Sequence, residues 1–171
     1  QNVPAAQDLL RPSERLQVIY TMPFDHPFLG EQSVAFDISR ETFTNEIASC
    51  RTYGFLKDIE ELRRRNLGLG GSFENAIVIG EGGVVNGDLR FRDELVRHKV
   101  LDLLGDLYLL GRPVLGTVIA HSAGHLLHTR LVREIQRHLD LEHLAPARSG
   151  VIERWARPLL HPERSLKVAP S

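Results

Sequence analysis

The sequence predicts an α+β domain in two layers, with a sheet packed on two long helices. Three observations carry this. The apolar pattern along the chain reads strands, helices, strands, helix, with strand-like runs at 16–21 and 32–38. Two long stretches, 91–110 and 126–141, each carry an apolar stripe at helical spacing. A chain of 171 residues, 42% hydrophobic, is long enough for one domain with a real core.

The elements follow in order. Residues 1–15 form a polar lead-in with Pro4 and Pro12, expected to be loose at its start. Leu16–Thr21 alternates as a strand, and Gln32–Ile38 pairs with it as an antiparallel hairpin across the loop Phe24–Gly30. Ser39 caps a helix running to about Ala48, with Thr42 where a capping box prefers Glu. Arg51–Phe55 is an irregular link, and Lys57–Arg65 a short charged helix. The glycine-rich run Leu67–Ser72 lacks the Lys-Ser/Thr of a phosphate loop and the spacing of a dinucleotide fingerprint. Tight turning or close backbone approach explains it better. Ala76–Ile79 is a strand, and Glu81–Asp88 a turn region. The helix Phe91–Leu110 draws its stripe from Leu95, Leu101, Leu104 and Leu109, and Gly111 and Pro113 follow it. Pro113–Ala120 is a buried strand. The turn His121–His125 opens the last helix, with Leu127, Leu131, Ile135 and Leu139 four apart. The domain spans 16–145, and a Pro-rich tail, 146–171, carries Trp155 as a docking group.

Composition excludes several classes. A formal net charge of -1 gives no support to a broad nucleic-acid surface. No apolar run is long enough to span a bilayer, and no signal peptide is recognisable. The single Cys50 rules out an intrachain disulfide and a four-cysteine zinc site, so a reducing, cytoplasmic setting is expected. Gln1 in place of Met is expected of a fragment or processed product lacking a partner domain.

Four places can carry chemistry. His98, Asp102 and Asp106 fall at i, i+4 and i+8 on one helix and share a face. Such a pair can hold a metal ion, although from spacing alone an ordinary His-Asp pair on a solvated face is the favoured reading. His125 stands at a strand-to-helix turn after Gly124, where active-site residues are often held. Thr52 offers a hydroxyl beside Tyr53-Gly54-Phe55, or simply forms a turn. His26, in Asp25-His26-Pro27, reads as a loop histidine. Metal-assisted hydrolysis joins the first three. Zinc lowers the pKa of bound water to about 7 and polarises a carbonyl. A protonated His125, held by Asp106, serves a leaving amine, and Thr52 a developing oxyanion. A third ligand is missing. His26, His121 and His128 are candidates that the sequence does not place.

Four strings carry a resemblance: Arg51-Thr-Tyr-Gly-Phe55, Leu69-Gly-Gly-Ser-Phe-Glu-Asn-Ala-Ile-Val78, Leu89 through Tyr108 with its His-Lys-x-Leu-Asp-x-x-Gly-Asp core, and Ala123-Gly-His125. Together they resemble UDP-3-O-acyl-N-acetylglucosamine deacetylase, the zinc amidase of lipid A biosynthesis, over about Ile19 to Leu139. That family has two similar α+β domains with helices between their sheets, and this chain resembles the second only, one half of the enzyme. The resemblance implies that His98 and Asp102 bind Zn2+, that His125 is the general acid oriented by Asp106, and that Thr52 helps hold the oxyanion. Lys99 would face the substrate diphosphate. A strand-helix-strand insert, about 56–80, would form an acyl passage lined by Ile59, Gly68, Ser72, Ala76 and Val78, with Phe55 also at the substrate. The third zinc ligand and a glutamate base belong to the family's first domain and have no match here. His26, His121 and His128 are therefore not promoted to fill the gap. Ser122 stands where the family usually has Lys or Arg, and His128 where Asn is common. The implied partners are UDP-3-O-acyl-N-acetylglucosamine and the missing N-terminal domain. The alternative is a binding or scaffold domain without turnover of its own.

Overall fold

The computed structural model describes the backbone of residues 7–11 and 15–144 and the side chains of 15–139. The expectations for the tail 146–171 and Trp155 lie outside the described residues. The architecture is α+β: a four-stranded sheet in the order β1-β7-β2-β3, two long helices against it, and a separate three-stranded sheet. Strands β2 (Leu16–Pro23) and β3 (Glu31–Asp37) make the expected antiparallel hairpin, with Ile19 opposite Ala35. Strand β7 (Gly116–His121) runs parallel to β2, with Val18 beside Val118 and Tyr20 beside Ala120. Parallel neighbours cannot be joined by a tight turn, so the whole of the chain between them serves as the crossover. Strand β1 (Gln7–Arg11) pairs antiparallel with β7. It falls within the lead-in, where the sequence shows no strand pattern, and its partner at the sheet edge supplies what local sequence does not.

The period of two sorts the sheet. Val18, Tyr20, Val118 and Ala120 point to the helices and are buried, while Ile19 is exposed on the other face. Helix α1 (Arg40–Thr42) is capped as predicted, Thr42 N donating to Ser39 Oγ at 3.0 Å. It then widens into a π-type turn over Phe43–Ile47, where Ala48 N bonds the Phe43 carbonyl five residues back.

Helix α3 (Glu94–Leu107) starts three residues later than the apolar pattern suggests and closes through a tight turn, Tyr108–Leu110, onto Gly111 at φ 66°. That left-handed φ suits glycine. Its buried stripe is also rotated from the expected one. Val96, Val100, Leu103 and Leu107 enter the main core, Leu101 and Leu104 pack at its flank, and Leu109 is exposed. Leucines occur on several sides of this helix, so their spacing alone does not fix which side faces the core. Helix α4 (His125–Leu144) matches expectation better: Leu127 and Leu131 are buried, and Ile135 packs on the same core.

The second sheet holds β4 (Thr52–Phe55), β5 (Ala76–Gly80) and β6 (Gly83–Val84), with helix α2 (Ile59–Arg64) between the first two. Strands β4 and β5 run parallel, Tyr53 beside Ile77, so β4-α2-β5 is a strand-helix-strand unit. It encloses its own small core of Phe24, Ile77, Ile79 and Leu95. Among the described residues, no helix is long and apolar enough to cross a membrane.

Candidate metal and acid-base site

The site lies where α3, the N-terminus of α4 and the approach to β4 meet. Glu94 fixes the approach. Its side chain is fully buried at the start of α3 and takes Arg51 N and Nε at 3.0 Å on one oxygen. The other oxygen takes Arg51 Nη2 at 3.0 Å and Arg90 N at 2.6 Å. Burial alone would raise this carboxyl, but the Arg51 hydrogen bonds, the backbone N–H groups and the Arg51 charge hold it below the usual range. The segment Cys50–Thr52 is thereby clamped against α3.

One turn further along α3, His98 Nδ1 lies 3.2 Å from the Cys50 carbonyl. A carbonyl oxygen only accepts, so Nδ1 carries the hydrogen. His98 Nε2 then points a nitrogen toward Asp102 Oδ1 at 3.2 Å. In the neutral ring, a lone pair faces a carboxylate oxygen, and the pair calls for a cation between its members, a proton or a metal ion. A ligating histidine whose other nitrogen donates to a backbone carbonyl is the usual arrangement at metal sites. The residues present therefore fit a cation. Asp102 Oδ2 takes Lys99 Nζ at 2.7 Å. Burial would raise the Asp102 carboxyl, but a hydrogen bond from His98, available when a proton sits at Nε2, together with the hydrogen bond and charge of Lys99, outweighs it and holds it at about 2.

The third carboxylate of the row, Asp106, sits one turn on. Its Oδ2 takes His125 Nδ1 at 2.7 Å, and His125 Nε2 reaches toward Asp102 Oδ1 at 3.7 Å. The sequence-expected pair His125–Asp106 is thus in contact, and His125 remains exposed. The turn leading to it is strained: Ser122 has φ 51°, a left-handed conformation for a non-glycine residue, and its N–H bonds the Thr21 carbonyl at 2.9 Å. Asp106 Oδ2 also meets His128 Nδ1 at 2.9 Å. Asp106, His125 and His128 bring ligand atoms within 4.8 Å of one another, close enough to hold a metal ion. His128 is fully buried, and burial lowers its pKa against the pull of Asp106. Two hydrogen bonds to Asp106 already join these three residues.

The other expected residues are more scattered. Lys99 is paired to Asp102. Thr52 opens β4, exposed, two residues after the carbonyl that holds His98. Phe55 stacks on His26, with ring centroids 5.8 Å apart. His26 Nε2 meets the Gly80 carbonyl at 3.0 Å and Phe28 N donates to its Nδ1 at 3.3 Å, so it pins the 24–30 loop to β5. In the insert, Gly68 and Ser72 are exposed, Ile59 and Ala76 half-buried, and Val78 buried. Among the glycines of the run, Gly68 needs its φ of 64°, and an added Cβ there would meet open space. From sequence, His128 is a candidate ligand that is set aside, and its contact with Asp106 goes unseen. Its signal was present, since His128 lies three residues after His125 on one helix and so shares its side.

Residues 5–137 match the family model described as UDP-3-O-acyl N-acetylglycosamine deacetylase. The chain belongs to that deacetylase family. It is 49% identical over 129 residues to a UDP-3-O-acyl-N-acetylglucosamine deacetylase of Psychrobacter arcticus, covering 74% of this chain and 40% of that protein. It is 43% identical over 148 residues to the enzyme of the same name from Myxococcus xanthus, covering 86% of this chain and 47% of the relative. The Alcanivorax borkumensis deacetylase is 48% identical over 132 residues, 75% and 43% of the two chains. The matched stretch therefore covers less than half the length of these relatives. The stretch matched to the deacetylase family includes the second sheet, all of α3 and the His125 end of α4.

Proposed function

We propose that this chain supplies one half of the active site of a UDP-3-O-acyl-N-acetylglucosamine deacetylase, which hydrolyses the N-acetyl group and releases acetate in lipid A biosynthesis. The observation that carries the reading is the His98–Asp102 pair. With His98 Nδ1 committed to the Cys50 carbonyl, Nε2 and Asp102 Oδ1 face each other at 3.2 Å as a cation-seeking pair. His98 and Asp102 would hold Zn2+, with a third ligand and a general base from the missing first domain. Such a cation supplies Lewis-acid polarisation of the amide carbonyl and an acidified water. The chain's own residues do the rest. His125, its Nδ1 bonded to Asp106, presents Nε2 to the leaving nitrogen and donates the proton the amine needs. The Thr52 hydroxyl donates to the developing oxyanion, placed by the Arg51–Glu94 clamp. Lys99 serves the substrate diphosphate. Phe55, Ile59, Gly68, Ser72, Ala76 and Val78 belong to the element that receives the acyl chain.

The test is zinc stoichiometry and acetate release by this chain with and without the first domain supplied in trans. One zinc per complex and turnover only with both halves are expected. Stoichiometric zinc with no acetate from the combined halves would favour a binding or scaffold domain. Full turnover by this chain alone would overturn the half-site reading.

A further inference from the structure

We propose that His128 and Tyr20 are positioning residues, a buried pair that sets the Asp106 carboxylate and through it the ring of His125. This rests on the deacetylase reading for its catalytic consequence but not for its geometry. The contacts form one line. Tyr20 Oη lies 3.0 Å from His128 Nε2, His128 Nδ1 lies 2.9 Å from Asp106 Oδ2, and the same oxygen lies 2.7 Å from His125 Nδ1. Both Tyr20 and His128 are fully buried, their rings edge to face at 5.9 Å.

Donor counting orders the line. An Asp106 carboxylate oxygen accepts only, so both imidazoles turn Nδ1–H toward it. Burial disfavours a charged His128, and the neutral ring then turns a lone pair at Nε2 to the Tyr20 hydroxyl. The Tyr20 hydroxyl also lies 2.9 Å from the Ala123 carbonyl, two residues before His125, and shares its hydrogen with that acceptor. One tyrosine of the central strand β2 thus touches both routes to His125, the turn that precedes it and the carboxylate that holds it. Asp106 has little room to rotate while a rigid, buried ring donates to it from below. His128 reads Asp106 through a single N–H, a task an asparagine amide can also perform.

The experiment uses the reconstituted two-domain protein. His128→Leu is expected to lower kcat by about 10- to 100-fold with KM little changed, the usual range for loss of a group that orients a catalytic one. His128→Asn is expected to restore most of that loss, and Tyr20→Phe to lower kcat less than His128→Leu does. Side-chain 15N spectra are expected to show His128 protonated at Nδ1 and a displaced His125 Nδ1 signal in His128→Leu. Unchanged kcat in His128→Leu, or equal losses in His128→Leu and His128→Asn that follow thermal stability, would overturn the proposal. If His128→Leu does not fold, His128→Asn and Tyr20→Phe still decide, since wild-type kcat in Tyr20→Phe with Nε2-protonated His128 contradicts it. If the wild-type protein releases no acetate, the deacetylase reading fails, and the 15N spectra alone judge the positioning pair.

Discussion

Glu94 is a carboxylate with no solvent and four N–H partners, so its stability role is separable from chemistry. Glu94→Ala strands the Arg51 guanidinium half-buried. Losing one member of a buried pair is expected to destabilise by about 3–5 kcal/mol, seen as a lower midpoint in thermal unfolding. The pH dependence has a definite sign. The folded Glu94 carboxyl sits below its ordinary value. Its contribution is therefore complete above the unfolded pKa of about 4.3 and is lost as pH falls through the folded value. Wild type should lose stability on acidification through that window, and Glu94→Gln should lose less; equal acid sensitivity in both would remove Glu94 as the source. His98 behaves differently. It lies partly exposed on α3. His98→Ala is expected to leave the circular dichroism spectrum intact while zinc bound by the reconstituted enzyme falls by at least about 10-fold; undiminished zinc would refute its ligand role. The row His98, Asp102 and Asp106 was legible from four-residue spacing alone, because a helix converts spacing directly into a shared face. The partners from other elements were not. The Cys50 carbonyl that fixes the His98 tautomer and the Tyr20 hydroxyl under His128 are brought in by tertiary packing, which leaves no local trace.

At the scale of elements, the same contrast separates α4 from α3. On α4 the four-apart positions 127, 131 and 135 pack on the main core as their spacing predicts, joined by Val132. The leucines of α3 spread over several faces, and packing against α4, β2 and β3 turns the face that carries Val96 and Val100 into the core. The β5-β6 turn depends on glycine in a way composition does not show. Gly83 has φ 126°, and a Cβ there would stand 3.1 Å from the Phe28 ring. Gly83→Ala combines backbone strain with a clash, so a loss of about 1–3 kcal/mol is expected. Gly87→Ala, with φ 105° but nothing within 4 Å, is the comparison. It suffers the strain alone and should lose less in chemical denaturation; equal losses would mean that the Phe28 contact is immaterial.

The described residues form two cores that meet along α3 and share Met22 of β2. The main core lies between the four-stranded sheet and the helices, and the smaller one under β4-β5-β6. They meet at consecutive residues of α3, Leu95 in the smaller and Val96 in the larger. The Arg51–Glu94 clamp crosses at the same place. A second core this small, with Leu56, Leu67, Leu69 and Phe73 of the insert exposed, has less apolar burial to oppose local opening. Native-state hydrogen exchange should therefore show two levels of protection, lower at Ile77–Ile79 and higher at Val18–Tyr20 and Val118–Ala120. Ile77→Ala, which opens a cavity in the small core, is expected to lose about 2–4 kcal/mol of protection across β4 and β5 while β2 and β7 keep theirs. Val100→Ala, in the large core, should lower protection in both sheets together, because α3 carries Leu95 of the small core and the Glu94 clamp as well as Val96 and Val100. The asymmetry matters for the site. His98 and Asp102 ride on the element common to both cores, whereas Thr52 rides on the less stable one. Under the proposed function, the Thr52 hydroxyl then moves with the insert proposed to receive the acyl chain, while the pair proposed to hold the cation stays fixed. A uniform loss of protection in Ile77→Ala would show one cooperative unit and remove that freedom.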